Sequence, residues 1–211
     1  MRRDLVIVGA GGFARETAAA VRATDRWNLL GFLDDDPALP GTVRGGVPIL
    51  GGTADVPPGA AVVVCVGNPR AFDVRTGLVR RLALPTDRYA TIVHPAASVP
   101  AGCVLGPGTV LLAGAVLTAD VAVGAHVAVM PQAVLTHDDV VGDFATVASG
   151  VRLGGGVRIG SGAYLGAGCL VRESVAVGEY AQVGMGAVVL RDVPPGQVWV
   201  GNPARYLRDV K

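Results

Sequence analysis

The 211-residue chain reads as two architectures in series. A small α/β domain with a parallel, Rossmann-like sheet is predicted over residues 1–90. An all-β, parallel β-helix of hexapeptide repeats is predicted over residues 91–193, followed by a tail over 194–211. Three observations predict this. Every sixth residue from Val93 to Val189 is aliphatic. Before that run, short aliphatic stretches alternate with helix-like ones, as in a parallel α/β sheet. Hydrophobic residues make up 51% of the chain and aromatic residues only 5%, which suits a narrow bore that takes Val, Leu and Ala but few rings.

The six-residue period is the strongest signal, because a helix repeats every ~3.6 residues and a strand every ~2. A hexad is one short strand plus one tight turn, and three hexads close a triangular coil. Each aliphatic residue then points inward and stacks on its counterpart one coil later. Four places after it the residue is usually small (Ala97, Cys103, Thr109, Ala115, Ala133, Ala145, Ala163, Cys169, Ala181, Ala187), which suits a crowded interior. One place after it stands Gly106, Gly124, Gly142, Gly154, Gly160, Gly166, Gly178 or Gly184, as a turn favours. Such coils resemble the left-handed β-helix, an exception to the right-handed crossover rule. Enzymes with this repeat are mostly acyltransferases.

The N-terminal elements follow in order. Leu5–Val8 is a strand, Gly9–Gly12 a tight turn, and 13–23 an Ala-rich helix. A second strand, Leu29–Leu33, ends in Asp34 and Asp35. Residues 37–60 are rich in Gly and Pro, with a short extended piece at 47–50. A third strand, 61–66, ends in Gly67-Asn68-Pro69-Arg70, and a second helix covers 71–82.

Composition excludes several roles. A net charge of +1 offers no electrostatic case for nucleic acid or an anionic membrane. No apolar run is long enough to span a bilayer, and no signal peptide is visible, so a cytoplasmic setting is expected. Three Cys (Cys65, Cys103, Cys169) form an odd count without motif spacing, and Cys103 and Cys169, on the small inward positions, read as core fillers.

Two groups of residues suggest chemistry. Gly9, Gly11 and Gly12 follow a strand and open a helix, whose first N–H groups favour phosphate. Asp34 ends the next strand, and Gly67, Asn68 and Arg70 end a neighbouring one, so both loops fall on one sheet rim. Arg70 offers a fork for phosphate. The alternative is a tight βα turn without a ligand. The second group is His137 with Asp138 and Asp139. A carboxylate beside a His orients the ring and raises its basicity; the alternative is an exposed turn His. His94 and His126 have no carboxylate neighbour and read as structural surface residues. The three His are too far apart for clustered metal ligands, so no metal is expected.

Through these motifs the chain resembles the sialic acid O-acetyltransferase and nucleotide-aminosugar N-acetyltransferase group (NeuD/PglD-like). The resemblance runs in order through Val8–Gly12, Phe32–Asp35, Val66–Asn68 with Arg70, His137–Phe144, and the closing Gly201-Asn202-Pro203-Ala204-Arg205. It implies a homotrimer, a nucleotide-linked sugar on the N-terminal domain, and acetyl-CoA as co-substrate between adjacent β-helices. His137 matches the general base and Asp138 a Glu that orients it. Acceptor contacts are implied for Gly9, Gly11, Gly12, Phe13, Asp34, Asp35, Gly67, Asn68, Arg70 and Met130. Coenzyme contacts are implied for Thr146, Gly155, Ala167, Met185, Pro203 and Arg205. Three departures surround the acceptor site: Thr146 replaces a His nine residues after the base, Phe13 a His, and Met130 an Asn. They motivate a second reading, a non-catalytic nucleotide-sugar-binding scaffold; acyl transfer to a non-nucleotide acceptor is also open. An NAD-dependent oxidoreductase is disfavoured, because the α/β part is too short for a full dinucleotide fold plus a catalytic domain.

Overall fold

The computed structural model describes residues 2–67 and 74–210 and divides into two compact units, Met1–Pro95 and Ala96–Lys211. In the first unit, β1 (Arg3–Val8), β2 (Trp27–Leu33), β3 (Val43–Arg44), β4 (Val47–Gly51) and β5 (Ala61–Val64) form one sheet in the order β3-β4-β2-β1-β5. All its pairings are parallel except the β3–β4 hairpin. Leu5–Val8 and Ala61–Val64 have essentially no exposure; strands covered on both faces read as unbroken aliphatic runs. Helix α1 (Gly12–Arg22) follows β1 and buries Ala14, Thr17, Ala18 and Val21, a stripe at helical spacing. Helix α2 (Val74–Leu82) follows β5, and β6 (Ile92–Val93) comes near the end of the unit. The hairpin lies inside the stretch read as mostly irregular. It turns at Gly45 and Gly46, both at positive φ, the backbone that a two-residue hairpin demands.

In the second unit, two-residue strands run from β7 (Val104–Leu105) to β21 (Val188–Val189), one to each hexad. They form three parallel sheets in which each strand pairs with the one eighteen residues later, as Ala122↔Val140 and Val140↔Arg158. The coil is left-handed. The inward residues are buried without exception from Leu111 to Val189; Val93, Val99 and Leu105 are only half-buried. Of the small residues, Cys169 is buried and Cys103 half-buried. Burial pushes the Cys169 thiol up to about 12, so it is inert filler. Residues 194–211 contribute β22 (Gln197–Val200), parallel to β20 (Gln182–Val183), and β23 (Arg205–Asp209), antiparallel to β22.

The glycines divide into two sets. Those directly after the inward residue, such as Gly166, do not have positive φ. They are required because a Cβ there would lie 2.5 Å from Met185 N and 2.7 Å from Gly184 C, the backbone of the next coil. Positive φ falls two residues later, at Gly150, Gly162 and Gly168 but also at His126, Asp138, Phe144 and Tyr180. The turn expectation therefore holds for the wrong glycines: close stacking, not dihedral freedom, selects the first set.

Candidate active site

On the first unit, the βα turn after β1 and the end of β2 meet at the carboxyl rim of the sheet. Gly9 sits at φ +100°, and a Cβ there would press on Cys65 O at 2.9 Å. Asp34 holds the turn in shape: its Oδ2 accepts the Ala10 N–H (2.8 Å) and its Oδ1 accepts the Asp36 N–H (3.0 Å). Gly11 and Gly12 have nothing within 4 Å of a Cβ position, so the start of α1 stays open to a ligand. Phe13, half-buried in the first turn of α1, lies 3.7 Å from the Cβ position of Gly67.

Asp35 is engaged differently from Asp34. It accepts the Thr53 N–H (2.8 Å) and the Thr53 hydroxyl (3.0 Å), and pairs with the Arg81 guanidinium. The Thr53 hydrogen bonds, helped by Arg81, hold its carboxyl below the ordinary range. Val8, Gly9, Asp34, Asp35, Thr53 and Arg81 are among the residues lining a cavity of about 540 Å³ on this rim. Thr53 and Arg81 were not foreseen: each becomes visible only when β4 and α2 flank the end of β2. Asn68 and Arg70 lie outside the described residues.

On the second unit, His137 and Asp138 occupy the corner after β12 (Val134–Leu135). His137 Nδ1 stands 2.8 Å from Asp138 Oδ2, and both side chains are about two-thirds exposed, 67% and 69%. Because a carboxylate only accepts, the pairing assigns the proton to Nδ1 and leaves the Nε2 lone pair able to accept one. The ring lies over Gly155, eighteen residues on, where a Cβ would overlap it. Gly155 is thus the floor of the histidine.

The other implied coenzyme residues lie elsewhere on the coil. Ala167 and Met185 share the corner that leads into β18 (Leu170–Val171) and β21, and Met185 is 78% exposed. Gly155 lies on the corner that leads out of the same sheet. Thr146 faces outward on β14 (Thr146–Val147), in a different sheet, and Met130 follows the strand below it, β11 (Ala128–Val129). A single second unit therefore brings His137, Asp138 and Gly155 together but not Thr146 or Met130. Pro203 and Arg205 lie at the start of the β23 hairpin arm, with Arg205 exposed.

His126 departs from expectation. It is only 6% exposed and stacks on Phe144, ring centroids 5.0 Å apart, so it packs a coil corner instead of standing at the surface. His94 is half-buried. Among the described residues no group of His, Cys, Asp and Glu is arranged to hold a metal ion, and no helix is long and apolar enough to cross a membrane.

A Rossmann-like sheet preceding a left-handed hexapeptide coil, with a His–carboxylate pair at a coil corner, is a build that sugar acetyltransferases share, and comparison with known proteins supports an acetyltransferase. Residues 4–81 match the family model of the PglD N-terminal domain. Over the whole chain, the structure is similar to the acetyltransferase domain of PglB from Neisseria gonorrhoeae FA1090, solved also with acetyl coenzyme A. That likeness has a TM-score of 0.88 at 29% identity, covering 98% of this chain and 100% of that one. It is similar to PerB from Caulobacter crescentus, solved with CoA and GDP-perosamine (TM-score 0.86, 29% identity, 97% of each chain). It is also similar to WeeI from Acinetobacter baumannii AYE (TM-score 0.82, 27% identity, 97% of this chain and 100% of that one). A 35-residue segment is 51% identical to the bifunctional protein GlmU of Rubrobacter xylanophilus; it spans 17% of this chain and only 8% of GlmU. The resemblance read from the motifs is thus supported by the family model over residues 4–81 and by the structural likeness over the whole chain.

Proposed function

We propose that the chain transfers the acetyl group of acetyl-CoA directly to an amino group of a nucleotide-linked sugar, with His137 as general base. The observation that carries this is the His137–Asp138 pair at 2.8 Å, seated on Gly155 with Nε2 free. The acceptor nitrogen attacks the thioester carbonyl carbon as Nε2 takes its proton. The tetrahedral intermediate then collapses, the C–S bond breaks, and the CoA thiolate leaves. Asp138 holds the ring and stabilises the imidazolium. A turn N–H, together with the Thr146 hydroxyl, stabilises the oxyanion. Binding both substrates together supplies much of the rate. The solved neighbours with acetyl-CoA, CoA and GDP-perosamine support this choice of donor and of acceptor class. Incubating the protein with acetyl-CoA and a panel of amino-sugar nucleotides tests it. An acetylated nucleotide sugar and stoichiometric free thiol are expected. Binding without turnover across the panel would favour the scaffold reading.

The separation of Thr146 and Met130 from the His137 corner supports a site shared between subunits. We propose a homotrimer. Light scattering is expected to give three times the chain's 21.3 kDa; a monomeric mass at working concentration defeats both the trimer and the shared site.

The acceptor is assigned to the sheet rim of the first unit and the coenzyme to the coil. Asp35→Ala frees Thr53 and Arg81 on that rim. It is expected to raise the acceptor KM several-fold, about the worth of one or two polar contacts, and to leave the acetyl-CoA KM nearly unchanged. Equal damage to both constants refutes the division.

A further inference from the structure

From Leu105 to Val183, the N–H that follows each inward residue but Leu135 continues the ladder. Thr118 N donates to Leu135 O, Met130 N to Val147 O, Gly142 N to Ile159 O and Gly154 N to Val171 O. Thr136, the residue before His137, does not follow this pattern. Its N–H donates instead to Asp139 Oδ2 (2.7 Å), and its hydroxyl takes over Leu153 O (3.0 Å). The pairing of β12 with β15 (Arg152–Leu153) correspondingly keeps only Val134↔Arg152, whereas β12 with β9 (Val116–Leu117) and β15 with β18 keep two residue pairs each. Asp139 occupies the small inward position of its hexad, where the neighbouring hexads place Ala133 and Ala145, and it has no solvent exposure. Its other oxygen accepts the Val157 N–H at 2.8 Å, and the Gly156 N–H donates to His137 O at 2.9 Å. A carboxylate inside an aliphatic bore is costly unless something requires it.

We propose that Asp139 is a positioning residue for His137. Its buried carboxylate draws the Thr136 N–H out of the β12–β15 ladder and ties it to the Val157 N–H, so that the turn between them carries the imidazole over Gly155. The inference rests on the reading of His137 as the base. The charges whose fields reach Asp139 are those of His137 and Asp138, on the same turn. Burial raises its carboxyl from 3.8 to about 6, against the pull of the two backbone N–H groups. A pKa raised by folding contributes stability that is complete below the unfolded value and lost as pH rises through the folded one. The carboxylate is therefore a burden on the fold above about pH 6, and a role other than stability accounts for it.

Asp139→Ala places in the bore the residue its neighbours already use and lets Thr136 rejoin Leu153. The full-length variant is compared with wild type and with His137→Ala by three readouts. Its melting temperature at pH 7.5 is expected to be no lower than wild type, with wild type gaining on it as pH falls from about 6 towards 3.8. The His137 ring resonances, assigned by their loss in His137→Ala, are expected to titrate at a different pH. With acetyl-CoA and an amino-sugar nucleotide that the wild type acetylates, kcat is expected to fall ten- to a hundredfold, about what an ångström of misplacement costs, with the acetyl-CoA KM unchanged. Asp139→Asn keeps the volume and one acceptor and is expected to fall between the two. If ring titration and kcat match wild type in both variants, the proposal is overturned. If Asp139→Ala fails to fold and Asp139→Asn titrates like wild type, it is overturned equally. Should His137→Ala retain activity, the base reading fails by itself, while a displaced ring titration still supports the positioning.

Discussion

Replacing His137 with alanine is expected to lower kcat by about two to four orders of magnitude, the usual worth of a positioned base. The side chain is mostly exposed and packs no core, so the fold and the proposed trimer should be untouched. Coenzyme affinity should hold as well, because the contacts proposed for it at Ala167 and Met185 lie on another corner of the coil. Steady-state kinetics over a range of pH check this. The wild-type rate is expected to climb as the imidazole loses its proton, and the variant's residual rate to lose that rise. A variant that keeps more than about a tenth of wild-type kcat has its proton leaving by another route. His126 is then no substitute, because its ring is buried against Phe144.

The second large effect is expected on stability, at Gly166. A methyl group there meets the backbone of the next coil at 2.5–2.7 Å on three atoms, Met185 N, Gly184 C and Val183 O. None of these is a side-chain end that can swing away. Gly166→Ala is expected to cost about 3 kcal/mol, the upper range for forced overpacking, and to lower the melting temperature by roughly 10 °C for a chain of this size. Gly168 stands two residues away in the same hexad at φ +68°, with nothing within 4 Å of its Cβ position. Gly168→Ala is expected to cost only about 1–2 kcal/mol, the price of a left-handed backbone. Thermal unfolding of the two variants side by side separates crowding from dihedral strain, and equal costs would show that coil spacing relaxes more easily than its contacts suggest.

The contrast shows which parts of the molecule are legible in one dimension. The six-residue aliphatic series translates directly into a bore, because inward direction and stacking both follow from period alone. The same period marks where glycine is needed but not why, since the obstacle at Gly166 belongs to a turn eighteen residues away. The His137–Asp138 pair was legible because the partners are adjacent. Thr53 and Arg81 were not, because they reach Asp35 only through the folding of β4 and α2 beside β2. The β3–β4 hairpin escaped notice because Val43 and Arg44 are too few to show an alternation and the surrounding Gly and Pro read as loop. Asp139 was in plain view as the one carboxylate on the column of small inward residues in the middle of the coil, yet its proximity to His137 made it look like a surface partner.

The eighteen-residue register between stacked strands also limits how such a chain can change length. A six-residue insertion within the coil would turn everything beyond it through a third of a revolution. Ala167 and Met185 would then leave the edge they occupy relative to His137, though every inward residue would still face inward. Inserting one whole coil preserves each residue's angular address and moves it only along the axis, by about 4.8 Å. If the proposed site holds, relatives that keep the same chemistry are free to differ by whole coils placed outside the span from His137 to Met185, or by excursions at the corners, while partial coils inside that span would scramble the site without disturbing the bore.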